Sequence, residues 1–126
     1  MAKLSTHVLD TSRGVPAAGV TVEVHILSGD RGDRGDRGDD RRLVVKTVTN
    51  ADGRTERPLI DGDRIEPGVY ELTFGAADYF RRSGVALPDP PFLGDVVLRV
   101  GIADAQGHYH VPLLLSPYGY STYRGS

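Results

Sequence analysis

A chain of 126 residues suffices for one domain that buries about two thirds of its unfolded surface, so we expect a single domain over residues 1–126. The net charge of −2 is too small to recruit nucleic acid or an anionic membrane, and the lack of cysteine excludes disulfides and thiolate chemistry. No apolar run approaches the ~20 residues of a membrane helix, and no signal-peptide pattern follows Met1. We therefore expect a cytoplasmic protein without nucleic-acid or membrane partners.

Short strands separated by turn residues dominate the first part of the chain. Alternating or apolar runs predict strands over Leu4–Leu9, Val20–Ile26, Leu43–Thr49 and Val69–Phe74. The second of these alternates strictly between aliphatic and polar residues, which is typical of a half-buried antiparallel strand. Arg54–Leu59 is expected to hold only a short edge strand, because Pro58 interrupts it.

The remainder of the chain predicts one short helix and three more strands. The helix is expected over Ala76–Ser83, with Gly84 as its stop. A strand follows over Asp95–Ile102, and the residues from His108 to Ser126 are expected to form two strands folded back on each other. Many short strands with a single short helix indicate an all-β protein, an antiparallel β-sandwich.

The segment 29–42 differs from the rest because it is charged and lacks apolar residues. It contains Gly-Asp-Arg three times and ends in Arg41 and Arg42. Since it has nothing to bury, it cannot offset its ordering entropy, and we expect a mobile loop between two strands. The triplet Arg31-Gly32-Asp33 spells an integrin ligand, which we interpret as a coincidence of the repeat in a chain without an export signal.

The candidate chemical groups are mainly histidines. On a strand, His108 and His110 share one face, whereas His25 lies on the polar face of its strand and is expected to be exposed. His7 is the only ionisable residue of a short apolar strand. With His108 and His110 it could hold zinc, but no carboxylate ligand is evident, so we expect no metal. Arg124 could pair structurally with a carboxylate or backbone carbonyls.

Three segments together resemble a known family. His7–Ala17 is similar to the first signature of the transthyretin family, and Asn50–Arg54 matches a third block. Tyr118–Ser126 resembles the terminal signature of the enzymatic branch, the 5-hydroxyisourate hydrolases, and its ending Tyr123-Arg124-Gly125-Ser126 separates these from the hormone carrier. The resemblance covers the chain except Gly29–Asp40, an insertion in the usual hairpin.

This resemblance implies a prealbumin-like sandwich of two four-stranded sheets with one short helix, assembled as a homotetramer with active sites in the channel between dimers. It implies no cofactor. The positions that match catalytic residues of the family are His7, Arg54, His110 and Ser126. Substrate binding is implied for His7, Arg54, Tyr123, Arg124 and Gly125, whereas His108 is expected to be a neighbouring or surface group.

The activity that the resemblance implies is the hydrolysis of 5-hydroxyisourate to 2-oxo-4-hydroxy-4-carboxy-5-ureidoimidazoline, in urate degradation. One of His7 and His110 would activate water, while the other orients the substrate or protonates the leaving nitrogen. Arg54 would stabilise the growing negative charge, and the tail would position the water or a histidine. Two alternatives are a non-catalytic carrier of a small aromatic ligand and a structural sandwich domain.

Overall fold

The computed structural model describes residues 1–27 and 41–125, which form two β-sheets and one short helix. In chain order the described elements are β1 (Ala2–Asp10), β2 (Val15–Pro16), β3 (Thr21–Leu27), β4 (Arg41–Val48), β5 (Ile60–Gly62), β6 (Gly68–Phe74), α1 (Ala76–Arg82), β7 (Val96–Ile102), β8 (His108–Ser116) and β9 (Gly119–Thr122). No helix in this part of the chain is long and apolar enough to cross a membrane.

The strands form two sheets that pack face to face. Sheet A has the order β2-β1-β8-β9, with β5 also paired to β1, and sheet B has the order β4-β3-β6-β7. Every pair is antiparallel except β1 with β8, which run parallel. The parallel pair lies at the centre of sheet A and brings the two ends of the chain together.

Alternation along the central strands places one of their faces in the core. On β1, Leu4, Thr6 and Val8 are buried, while Ser5 and His7 between them point outward. Leu113 on the neighbouring strand β8 and Leu72 and Phe74 on the facing strand β6 are equally buried, and α1 adds Phe80. Burying each such side chain contributes about 1.5–3 kcal/mol, so this layer stabilises the sandwich and leaves the outer face of sheet A available for function.

A buried carboxylate fixes the end of β1 to the helix. Asp10 is fully buried and accepts hydrogen bonds from the Ser12 backbone, Arg13 Nε (3.1 Å) and the Tyr79 hydroxyl (2.8 Å). Burial alone would raise the pKa of Asp10, but hydrogen bonds from Ser12, Tyr79 and Arg13 outweigh it and lower the pKa below its ordinary value. The charged carboxylate of Asp10 therefore links the turn after β1 to α1.

The predicted all-β sandwich with one short helix is confirmed, with two local corrections. The edge strand expected over Arg54–Leu59 is wrong: Arg54 makes a single bridge to His7, and the strand begins at Ile60, after Pro58, which has no N–H to donate. Because β2 and β5 both pair with β1, sheet A has five strands where four were expected.

The charged segment and the tail also end differently from the prediction. Arg41 and Arg42 belong to β4, where they pair with Leu27 and Ile26, so the segment expected over 29–42 is shorter. Its remaining residues lie outside those described. The final strand was expected to continue to Ser126, but β9 ends at Thr122, and Ser126 also lies outside the described residues.

A candidate active site on the outer face of sheet A

The parallel register of β1 and β8 brings polar side chains together on the outer face of sheet A. Lys3 is paired with His108 and Ser5 with His110, and His7 follows two residues further along β1. Because side chains alternate along a strand, these five residues face the same side of the sheet. The sandwich core lies behind them, so the site rests on a rigid support.

A tight turn then brings Arg54 to the same place. Asn50 Oδ1 accepts hydrogen bonds from the backbone of Asp52 (2.9 Å) and Arg54 (3.3 Å), which closes the turn. Gly53 has φ +77°, and its carbonyl accepts from the Val8 backbone at 2.8 Å. A Cβ at this position would overlap the Val8 carbonyl oxygen, so the turn requires glycine.

His7 is held by the backbone of this turn. Its Nε2 lies 3.0 Å from the Asp52 carbonyl oxygen, and Arg54 forms a backbone bridge with His7 itself. A carbonyl oxygen can only accept, so Nε2 of His7 carries the proton and donates it. In the neutral ring this leaves Nδ1 with its lone pair.

His110 is held from two sides. Its Nδ1 lies 2.8 Å from Ser5 Oγ, and its carbonyl accepts from the Gly125 backbone at 2.8 Å. A Cβ on Gly125 would lie 2.6 Å from Cδ2 of the ring, so the tail packs against this histidine only through glycine. The tail residue Gly125 is thus joined to the strand that carries His110.

The surroundings of His110 keep its ring neutral. Burial is the largest cause that lowers its pKa, and the positive charges of Arg54, His7 and Lys3 lower it further. An ordinary histidine titrates near pH ~6.5, so at neutral pH His110 is unprotonated and able to accept a proton.

A cavity of about 410 Å³ opens over these groups, lined by Lys3, Ser5, Arg54, His108, Tyr109 and His110. His108 Nε2 donates to the Met1 carbonyl at 2.8 Å, which turns that ring toward the start of the chain. Within the described residues neither the Lys3 ammonium nor the Arg54 guanidinium forms an ion pair. The cavity is therefore cationic and has donors ready for a ligand.

The zinc alternative finds no support in the geometry. Within residues 1–27 and 41–125 there is no cluster of three histidine, cysteine or carboxylate side chains that could hold a metal ion. His7 and His108 each donate a ring N–H to a backbone carbonyl.

Two of the expected substrate-binding residues lie elsewhere. Tyr123 and Arg124 line a second cavity of about 280 Å³, together with Val100, Gly101, Tyr109, Val111 and Thr122. The Arg124 guanidinium lies 4.2 Å from the centre of the Tyr109 ring and donates to the His108 carbonyl at 3.1 Å. This is the structural pairing with a backbone carbonyl that was the alternative for Arg124.

Sequence reasoning missed Ser5, Lys3 and the Asp52 carbonyl. The first two could have been found, because they alternate with His7 along β1 and so share its face. The role of Asp52 could not, since it depends on a backbone atom that the turn places beside His7.

The fold and this site define a small β-sandwich protein with imidazole and guanidinium groups gathered in a cavity on one sheet face, a set suited to proton transfer on a polar ligand. The chain belongs to the HIUase/Transthyretin family, whose model matches residues 4–125. The resemblance seen in the sequence is thereby confirmed.

The relatives of this chain are similar over their whole length. The 5-hydroxyisourate hydrolase 2 of Rhizobium meliloti is 56% identical over 98% of this chain and 96% of its own length. The 5-hydroxyisourate hydrolase of Pseudomonas aeruginosa is 50% identical over 100% of this chain and 93% of its own.

Solved structures of similar proteins also cover nearly the whole of this chain. The Klebsiella pneumoniae 5-hydroxyisourate hydrolase has a TM-score of 0.77 and 33% identity, with all of both chains covered. An (S)-allantoin synthase has a TM-score of 0.86 and 42% identity over 99% of this chain, which spans only 44% of that protein's length.

Proposed function

We propose that this protein hydrolyses 5-hydroxyisourate to 2-oxo-4-hydroxy-4-carboxy-5-ureidoimidazoline in urate degradation. The observation that carries the proposal is that three separate parts of the chain bring His7, Arg54 and His110 together on the outer face of sheet A, where Arg54 and His110 line one cavity and Arg54 bridges to His7. Full-length similarity to proteins named as hydrolases of this compound supports it. A structural domain would not need such a set of groups.

His110 is the general base of the proposed mechanism. Its lowered pKa keeps it neutral, and a proton on Nδ1 donated to Ser5 Oγ leaves the Nε2 lone pair for water. The water oxygen forms a bond to the ring carbonyl carbon as Nε2 takes one of its protons. The carbon–nitrogen bond then breaks, and the leaving nitrogen receives a proton while the acyl carbon becomes a carboxylic acid.

His7 and Arg54 complete the reaction centre. Since Nε2 of His7 is committed to the Asp52 carbonyl, its Nδ1 lone pair accepts a hydrogen bond from a substrate N–H and orients the ring, while Nε2 of His110 returns the proton that it took from water to the leaving nitrogen. The Arg54 guanidinium, which has no ion-pair partner in the described part of the chain, donates to the carbonyl oxygen that becomes negative. No step requires a cofactor or a metal ion.

We further propose a homotetramer in which the tail of a neighbouring subunit contributes to the site. Phe92, Tyr118 and Tyr123 are 71%, 61% and 58% exposed along or beside the edge strand β9. Aromatic groups gathered in this way are typical of an interface. In this proposal, substrate binding or catalysis by Tyr123, Arg124 and Ser126 depends on the tetramer. Light scattering after size exclusion should give the mass of four chains; a monomer overturns the proposal.

The activity is tested by following the decay of 5-hydroxyisourate, freshly generated from urate by urate oxidase, with and without the protein. We expect acceleration over spontaneous hydrolysis, and a loss of ~10²-fold or more in His7→Gln, Arg54→Gln and His110→Gln. His25→Gln is the matched control, because His25 lies on sheet B beside Arg41. If the protein binds the compound but does not accelerate its decay, the carrier alternative replaces the hydrolase. Cytoplasmic location remains a prediction from the sequence.

A further inference from the structure

The charge around the cavity is one-sided. Two permanent cations, Lys3 and Arg54, line it together with His108 and His110, and none of its lining residues is acidic. The carboxylate nearest to Lys3 in the strand register is Asp61 on β5, which makes no ion pair with it among the described residues. An unpaired ammonium and an unpaired guanidinium over one cavity complement a ligand that carries negative charge.

We propose that Lys3 binds the substrate in its anionic form and thereby determines which ligands the cavity accepts. This inference rests on the proposed hydrolase function and adds a residue and a substrate charge to it. A ring N–H flanked by carbonyl groups loses its proton readily, because the charge is shared by the oxygens. The ring opening also produces a carboxylate, which is ionised at neutral pH.

Several contacts fix Lys3 at the rim of the cavity. Its backbone N–H donates to the Gly107 carbonyl at 3.1 Å, and β1 pairs it with His108 on β8. Its side chain shares the outer face with Ser5 and His7. The charge of Lys3 reaches the reaction centre, because it is one of the causes that lower the pKa of His110.

Position separates the role of Lys3 from that of Arg54. Arg54 lies beside His7, where charge develops during the reaction, whereas Lys3 is exposed and lies two residues before Ser5 on β1. A charge at the rim attracts an anion equally in the ground state and the transition state. Such uniform binding changes KM and leaves kcat nearly unchanged.

The test compares Lys3→Gln with Lys3→Arg in steady-state hydrolysis of 5-hydroxyisourate at low and high salt. For Lys3→Gln we expect KM to rise ~2–5-fold, with kcat nearly unchanged, as for the loss of one partly screened charge pair. Lys3→Arg should keep the wild-type KM. The rise of KM with salt should be shallower in Lys3→Gln, since one screened attraction is already gone.

Lys46→Gln is the matched control because it removes the same charge from β4 on sheet B, where Lys46 pairs with Glu23 at 3.7 Å. An unchanged KM in Lys3→Gln, an equal rise in Lys46→Gln, or a fall in kcat alone overturns the inference while the hydrolase function stands. A wild-type protein that does not accelerate the decay overturns the proposed function, and this inference with it. Thermal unfolding of Lys3→Gln at the wild-type temperature shows that any rise in KM comes from binding.

Discussion

Single side chains in this site are constrained by several contacts at once. His110 receives its environment from Ser5 on β1, from Gly125 in the tail and from the charges of Arg54 and Lys3. Each of these comes from a different part of the chain. These surroundings lower the pKa of His110 below that of an exposed histidine, and the lower pKa can be measured.

The pH dependence of the rate should reveal this environment. Protonated His110 cannot accept a proton from water, and its pKa is lowered by burial first and by Arg54, His7 and Lys3 next. We therefore expect the acid limb of kcat/KM to lie below the ordinary histidine value of ~6.5, measured by stopped-flow hydrolysis across pH. A limb at or above that value would show that another group is the base.

Asp10 makes a prediction about stability. Asp10→Asn keeps the shape but removes the charge that accepts from Arg13 and Tyr79, so unfolding should become easier by about 2 kcal/mol at neutral pH. Because the folded pKa lies below the unfolded value of ~3.9, the stabilisation is complete above that value and disappears as pH falls through the folded pKa.

Urea denaturation at several pH values measures this effect. The difference between wild type and Asp10→Asn should shrink toward low pH. Asp63→Asn, at an exposed position after β5, is the control and should change little. A difference that stays constant down to pH ~2 would mean that Asp10 acts through packing and not through its charge.

At the scale of elements, local patterns predict strands well and their pairing poorly. The alternation from Val20 to Ile26 was sufficient to place β3 and its buried face. The approach of His7 to His110 was not accessible in this way, because it follows from the parallel pairing of β1 with β8 across most of the chain. That part of the site came from the family resemblance.

Turns, like strands, are predicted by local patterns, whereas their contacts with distant residues are not. The dipeptide Asp52-Gly53 is typical of a turn, and the structure has one there. What the pattern could not give is the bridge from Arg54 to His7, because a single backbone contact has no periodicity. The edge strand expected over Arg54–Leu59 was wrong, because Arg54 makes only this one bridge.

Gly53 tests how far the turn positions the site. Gly53→Ala should destabilise the protein by about 1–3 kcal/mol and slow hydrolysis, because its φ of +77° is strained for alanine and a Cβ overlaps the Val8 carbonyl. Gly14→Ala is the matched control: φ is +68°, but a Cβ there meets nothing within 4 Å. Calorimetry and rate measurements on both variants separate backbone strain from displacement of Arg54. Equal effects of both on the rate would contradict a positioning role for the turn.

At the scale of the whole molecule, the site lies on sheet A, whereas β3 and β4, the strands that flank the charged insertion, belong to sheet B. Leu27 and Arg41 are paired where β3 and β4 meet on sheet B, so the residues between them connect two positions that are already adjacent. The histidines lie on the outer face of sheet A, with the core between the sheets. Neither Leu27 nor Arg41 lines the cavity of the site.

Replacing residues 28–40 by an Asn-Gly turn should therefore leave hydrolysis within about twofold of wild type, because this dipeptide suits a two-residue hairpin. Stability should be unchanged or slightly higher, since closing a shorter loop costs less entropy. The same shortened protein checks the assembly: its mass by light scattering should equal four chains, as proposed for wild type. A variant that is stable but inactive, or that loses the wild-type oligomeric state, would give the insertion a role in assembly or catalysis that the location of β3 and β4 on sheet B does not suggest.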